Sequence, residues 1–596
     1  MRGLLSPGNY GTNSEYFQKT VPGLIMRQLH RVNQFQRLWQ LSQGEAQRIS
    51  VAAMAQHCFC SERHVRTLLR QWQQAGWLQW HGAAGRGKQG ELRFLLSPEQ
   101  LRQQLLSQQL AAGEAVQALQ VLDVAPERLV KMLRPLMGGQ WQNQAPVLRI
   151  PYYRAMEALD PLQLTGRAEQ HLVRQIFSGL TRFNADDVEG DLAHHWQHDA
   201  QGREWYFWLR PLLSWHNDEP VQAAQLVQQL QRIMQTPQGG RLLAAVEHID
   251  APHPLALRIR LRTSDYWLPQ RLAHQFCLLP HPEHAYTGSG PWRLTHFTRE
   301  LVRLESHARW HHQRPLIQVV EYWITPQLFE RGLGTSCRHP VQIAIGDPDE
   351  LDTLRPVDRS ISLGFCYLAP RFSARFSQAQ AKTLLALIQH SGVIQQLPLD
   401  EGLITPTAEL LPGWPLPAPH RPEGTLPATL TLHYHLPIEL HVMAQALVPL
   451  LAAQGCTLTC VFHDVKSWRD DIDLSDADII MGDRLIGDAP QFTLVNWLEN
   501  DAAWQPLRPA VLQAPLHAIA RQASPALRSA AIHQLFQQLM RDGHLLPLFN
   551  YRYQVFAPPG VEGIQLNSMG WFDFTRAWIP PPAAGGAVQP APEPVP

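Results

Sequence analysis

The sequence lacks several things that would place it quickly. No run of eighteen apolar residues occurs in its 596 positions, so no membrane-spanning helix is expected. Its first residues, Met1-Arg2-Gly3-Leu4-Leu5-Ser6-Pro7-Gly8, have none of the long apolar core that a secretory signal requires, and a cytoplasmic protein is expected. Cysteine is scarce: the seven (Cys58, Cys60, Cys277, Cys337, Cys366, Cys456, Cys460) are odd in number and scattered, which suits a reducing compartment better than a disulfide framework. There is no G-x-S-x-G, no P-loop and no G-x-G-x-x-G, and no nucleophile-base or paired-carboxylate constellation, so neither an enzyme nor a cofactor is expected. Metal is not expected either. His57, Cys58, Cys60 and His64 lie close in the chain, but no second ligand pair with zinc spacing follows. His194-His195 and His311-His312 fall on framework segments and are read as structural.

What is present begins with the stretch from Ser50 to Leu95. Val51 to His57 is a short apolar helix, Cys58-Phe59-Cys60 a three-residue turn, and Ser61 stands at an N-cap position. A second helix reaches about Gln74 with Val65, Leu68, Leu69 and Trp72 on one buried stripe. Arg63, Arg66 and Arg70 recur on a different face. Two alternating segments, Trp77 to Trp80 and Leu92 to Leu95, flank a glycine-rich tip carrying Arg86 and Lys88. Helix, turn, helix and basic-tipped hairpin make a winged helix-turn-helix over residues 51–74 and 76–95. The alternative is a helical hairpin with solvated arginines. Expected DNA contacts are Ser61, Arg63, His64, Arg66, Thr67 and Arg70, some of them to base edges, with Arg86 and Lys88 on phosphate.

Composition agrees with a divided chain. Net charge is zero, yet residues 26–105 hold 11 Lys and Arg against 4 Asp and Glu, leaving the larger remainder mildly acidic. Residues 1–25 read as a loose extension, and Leu29, Val32, Phe35, Leu38 and Trp39 as a first amphipathic helix completing the 26–110 domain. Residues 111–146 read as a helical connector, either a spacer or a dimerisation element. From Val147 strands and helices alternate, which implies a large α/β domain over 147–580; 581–596 is Pro-rich and expected to be disordered.

Leu159-Asp160-Pro161, Gly179-Leu180, Leu192-Ala193-His194-His195-Trp196, Leu209-Arg210, Trp215-His216-Asn217-Asp218, Gly288-Ser289-Gly290-Pro291-Trp292 and Trp310 to Pro315 follow one another in an order that resembles family 5 solute-binding proteins. Asp218-Glu219 departs from that family's Asp-Gly turn, and Ser289 stands for its Thr. Joined to a winged helix-turn-helix, the whole is similar to the SgrR family of bacterial transcription regulators. Its further marks here are Arg37-Leu38-Trp39, the segment Cys60 to Leu69, Gly76-Trp77-Leu78, Gly85-Arg86-Gly87-Lys88 and Gly570-Trp571-Phe572-Asp573-Phe574. The resemblance implies a winged helix-turn-helix plus a two-lobed α/β domain of the periplasmic-binding type. It also implies a regulator that activates a small-RNA gene in sugar-phosphate stress and represses its own gene. Its partners would be promoter DNA, a sugar phosphate or peptide effector, and RNA polymerase, with an oligomer compatible and no membrane. In the family the loop after the first strand faces the ligand cleft, which nominates Tyr153 and Arg154. The competing function is a peptide or solute receptor of an ABC transporter.

Overall fold

The structure, a computed structural model, describes residues 23–83, 88–111, 136–163, 166–184, 187–326, 356–357, 364–399, 403–465, 467–468, 472–551, 555–556, 560–566 and 572–582. The N-terminal extension to residue 22, Arg86 at the wing tip, 112–135 of the connector, Gly570-Trp571 and the tail from 583 lie outside them. The chain divides into two compact units, residues 1–136 and 137–596.

The first unit runs α1 (Gly23–Gln40), β1 (Gln47–Ile49), α2 (Val51–His57), α3 (Glu62–Gln74), β2 (Leu78–His81), β3 (Gly90–Phe94) and α4 (Pro98–Ala111). Serines start both central helices: the Ser50 hydroxyl accepts from Ala53 N at 3.2 Å and the Ser61 hydroxyl from His64 N at 3.3 Å. The stripe of Val65, Leu68, Leu69 and Trp72 is buried as its spacing predicts. Phe35 of α1 is the hub of this core, edge-on to Trp72, Trp77 and Phe94 at 5.5–5.6 Å. Arg102 of α4 reaches Asn33 and Gln36 of α1. Gly76, at φ +73°, stops α3. Trp77 N then returns to Trp72 O at 2.8 Å, which delays the first wing strand to Leu78. β1 was not foreseen; it pairs with β3, so the sheet order is β1-β3-β2.

The second unit begins earlier than the pattern change at Val147 suggests. Gly138–Gln142 is a strand, paired antiparallel with Ala145–Tyr152 through a two-residue turn, Asn143-Gln144, with both residues at positive φ. Residues 138–146 therefore belong to the large unit's sheet and not to a helical connector. Strands 292–297, 301–306 and 319–324 complete that five-stranded sheet. A four-stranded antiparallel sheet is formed by 246–253, 256–261, 204–209 and 193–198. A mixed five-stranded sheet orders 457–463, 429–435, 479–485, 364–370 and 546–547.

This mixed sheet serves two hydrophobic cores, one on each face. On one side Phe365, Tyr367, Ala369 and Ile480 join the core of the four-stranded sheet; on the other Cys366, Leu368, Leu432 and Met481 join that of the first five-stranded sheet. The alternation is the period-two geometry of a strand buried on both faces.

Two local readings change. The helix expected at His171–Leu180 is Arg167–Ile176. Its last carbonyl, Ile176 O, accepts from Gly290 N at 3.0 Å, and the next residues leave the helix to bridge Ser178 with Leu279. A Cβ on Gly288 would lie 2.0 Å from Ile176 O, so only glycine lets the two backbones meet. The turn at Trp215 closes without glycine: Asp218 takes φ +68°, and Trp215 N donates to Glu219 O at 2.8 Å. Aspartate tolerates the left-handed region better than most side chains.

Candidate nucleic-acid interface and candidate ligand site

Ser61, Arg63, His64, Arg66, Thr67 and Arg70 all lie exposed on α3 or at its cap. Not all are equally available. The Ser61 hydroxyl is engaged in the cap, and Thr67 Oγ1 donates to Arg63 O at 3.1 Å. Arg66 pairs with Glu62 one turn back at 2.9 Å, both side chains at least half exposed. Arg63, Arg70 and His64 carry no such tie. Lys88 is exposed beside the hairpin. In the turn before α3, Phe59 takes φ +49° and is 83% exposed, with the Arg37 guanidinium 5.4 Å from its ring centre.

Cys58 and Cys60 behave as packing residues. Burial pushes the Cys58 thiol up to about 11 and raises that of Cys60, the opposite of what a thiolate ligand requires. Among the described residues the group that could hold a metal ion is Asp191, His311 and His312. It is a hydrogen-bonded knot: Asp191 Oδ1 faces His311 Nε2 at 2.7 Å and His312 Nε2 at 3.4 Å, and Oδ2 accepts from Gly179 N at 3.0 Å. The imidazoles and the nearby Arg182 charge hold the buried carboxylate far below its usual range.

Arg154 is committed to the protein. Its guanidinium grips Glu169 with two bonds of 2.6 and 2.9 Å, donates to Ala155 O at 3.0 Å, and directs Nε to Tyr153 Oη at 3.3 Å. Four of five N–H groups are used, so a ligand role for this residue has little to work with.

Three further titratable residues of the large unit were not singled out from the sequence. Arg174 sits near the end of helix 167–176, His274 just before the short turn 275–277, and Arg484 near the end of strand 479–485. All three are half-buried. Neither Arg174 nor Arg484 has a hydrogen bond or ion pair with a described residue, and the Nε of each is fully buried. Burial lowers both guanidiniums. His274 falls to about 3, first through burial and then through the charges of Arg174, Arg484 and Arg271. Its Nδ1 accepts from Phe276 N at 3.3 Å, leaving Nε2 as a donor.

Beside them Tyr367 stacks with Trp504 at 6.3 Å, and the indole N–H groups of Trp504 and Trp468 are buried without partners. Gly482, opposite Tyr367 in the sheet, is closely packed by side chains. A Cβ there would stand 2.8 Å from both His435 Nε2 and Tyr367 Oη and 3.0 Å from Trp468 Nε1.

Comparison with known proteins fits this division. The family described as "Sugar transport-related sRNA regulator N-term" matches residues 30–144, and "Bacterial extracellular solute-binding proteins, family 5 Middle" matches residues 187–329. Among solved structures, NikA from Brucella suis, crystallised with Fe(III)-EDTA, superposes with a TM-score of 0.60 at 17% identity, covering 73% of this chain and 100% of that one. The Escherichia coli murein tripeptide binding protein MppA gives 0.58 at 17%, over 74% and 99%. These likenesses establish the binding-protein fold of the large unit. No described helix is long and apolar enough to cross a membrane. Over the full length the chain is 52% identical to "Uncharacterized protein YbaE" of Escherichia coli K12, across 94% of this chain and 100% of that protein. It is 30% identical to the "HTH-type transcriptional regulator SgrR" of Yersinia pestis, across 92% and 99%. A likeness that runs through both units at once, and not through either alone, shows that the chain belongs to the SgrR family of HTH-type transcriptional regulators, with a family 5 solute-binding domain.

Proposed function

We propose that this protein is a cytoplasmic regulator that binds promoter DNA through α3 and its wing, and that a small-molecule effector bound by the large unit alters its occupancy of DNA. The observation that carries the reading is the exposed basic face of α3, set immediately after a three-residue turn and a first helix. Arg63 and Arg70 are its base readers, since Arg66 is shared with Glu62. Lys88, with Arg86 at the tip, supplies phosphate contact. Family membership extends the reading to activation of a small-RNA gene in sugar-phosphate stress, repression of the chain's own gene, contact with RNA polymerase, and binding to paired half-sites as an oligomer. No catalytic step enters this function.

The test is an electrophoretic shift of the DNA upstream of the protein's own gene, using the full chain at low salt. Arg63→Ala or Arg70→Ala is expected to cost about 1–3 kcal/mol and relax specificity, whereas Lys88→Ala weakens all sequences alike and lowers the salt slope by about one. No shift at low salt, or equal losses on specific and unrelated DNA for all three variants, would overturn the reading.

A further inference from the structure

We propose that Asp191, His311 and His312 of the large unit bind one divalent transition-metal ion of the zinc class. The inference stands apart from the effector reading above and does not rest on it.

The fold brings the three side chains together from distant segments. Asp191 follows the strand Val188–Gly190, and His311-His312 lie in a bend after the strand Leu301–Ser306. The bend sets both imidazoles side by side, with ring centres 4.7 Å apart. Both Nε2 atoms face one carboxylate oxygen, Asp191 Oδ1, at 2.7 Å for His311 and 3.4 Å for His312. A hydrogen bond accounts for the first distance and not for the second. His312 Nε2 is fully buried and makes no hydrogen bond to a described residue. A buried polar atom left in this way calls for a further partner, a water or an ion.

Geometry separates the two. A water about 2.8 Å from both His312 Nε2 and Asp191 Oδ1 would see them only about 75° apart, a cramped angle for its two bonds. An ion about 2.05 Å from both sees them about 110° apart, which is the tetrahedral angle of a zinc site. His311 reaches the same spacing by drawing back about 0.6 Å, with its proton on Nδ1 and its Nε2 lone pair turned inward.

The surroundings agree. The carboxylate is already oriented: Oδ2 accepts from Gly179 N at 3.0 Å, and the Asp191 carbonyl accepts from Arg210 Nε at 2.8 Å. Such outer bonds hold a ligand in place and leave Oδ1 to the metal. Arg182, the cation close to Trp310, is paired with Glu189 at 2.7 Å, so its charge does not oppose an incoming ion. Two nitrogens and one oxygen suit zinc, cobalt or nickel, and not calcium or magnesium, which seek oxygen alone. His312 keeps 16% of its side chain exposed, against 8% for His311 and 6% for Asp191, so an ion enters from its side. Once bound, the ion fastens the 311–312 bend to the segment that carries Asp191.

The experiment uses the full chain, stripped of metal with EDTA and dialysed. Zinc, cobalt, calcium and magnesium chlorides are the probes, followed by calorimetry, thermal shift and visible absorption. One zinc per chain is expected to bind at the site and raise the melting temperature. Cobalt should give the intense visible bands of a four-coordinate ion, and calcium and magnesium should do neither. His312→Ala, which gives up no Nε2 hydrogen bond, should weaken zinc at least tenfold and leave the metal-free melting temperature unchanged. His312→Gln serves in its place if the alanine variant does not fold, with circular dichroism as the check. His311→Ala should weaken zinc as strongly. His194→Ala and the pair Cys60→Ser with His64→Ala remove other metal-binding side chains and should leave the site intact. The proposal is overturned if zinc does not bind, if binding and the cobalt bands persist without His312, or if the control variants abolish them.

Discussion

Two parts of the large unit treat buried arginine in opposite ways. In the first five-stranded sheet Arg149 is wrapped: Nε meets Glu321 Oε2 at 3.0 Å, Nη1 meets Gln140 Oε1 at 3.1 Å, Nη2 meets Gln142, and Glu321 in turn accepts from Arg303 and from Trp323 Nε1. Arg174 and Arg484 have no such hydrogen bond among the described residues: Asp488 is the charge that favours the first guanidinium, which also lies 5.9 Å from the Phe183 ring centre, and Asp501 and Asp483 are the charges that favour the second. The first arrangement is closed and holds strands in register; the second balances its charge without a hydrogen bond.

The sharpest attack on the comparison removes the counter-charge where it exists. Glu321→Gln leaves Arg149 and Arg303 facing a neutral amide, and the expected loss of stability in urea is about 3–5 kcal/mol. A loss below about 1 kcal/mol would show that pairing does not separate the two regions.

Acid tests two buried imidazoles by adding charge to them. His274 and His216 are pushed down to about 3, below the ordinary 6.5, by burial first. The unfolded chain binds the proton more readily, so the stability these groups contribute is complete above about pH 6.5 and falls as pH drops towards 3. By pH 5 each costs about 2 kcal/mol, seen as a lowered urea midpoint. His274→Gln should reduce the slope between pH 6.5 and 5. An unchanged slope would show that His274 is not held neutral by burial.

The arginines without hydrogen bonds carry a smaller expectation. Arg484→Leu removes a cation that Asp501 and Asp483 favour by charge alone, so stability should fall by no more than about 2 kcal/mol. A fall above about 2 kcal/mol would make Arg484 a structural residue of the closed kind. The smallest effect belongs to the exposed pair on α3. Glu62→Ala should change stability by no more than about 0.5 kcal/mol and free Arg66 for DNA, tightening binding at low salt.

The sequence was most informative where structure is local. The α2 and α3 helices, the Ser61 cap and the buried stripe of Val65, Leu68, Leu69 and Trp72 were legible because their signals lie within one or two helical turns of each other. The strand β1 was not, since three residues are too few to show a period. The hairpin 138–152 escaped because its turn, Asn143-Gln144, lacks the glycine that usually marks positive φ. The exposed DNA-facing side chains could be named from spacing, but the Arg66–Glu62 tie depends on rotamers. The surroundings of Arg174, His274 and Arg484 were beyond reach, since they depend on tertiary packing; strand Ile479–Leu485 shows only an adjacent Asp483-Arg484 pair. Tyr153 and Arg154 were nominated by family position, and the grip of Arg154 on Glu169 is invisible in the chain order.

The sheet order β1-β3-β2 has a mechanical consequence for the wing. Because β3 is the middle strand, Leu92 is clamped from both sides, opposite Gln47 on one edge and Trp80 on the other. The two strands that lead to and from the wing are thus held at their root, where His81 and Gly90 lie, by pairing on both sides of β3. A one-residue slip of β3 would turn Leu92 out of the core, so load applied at the tip is resisted by the whole small domain. The register of these three strands is therefore set at their root, where Leu92 meets both neighbours.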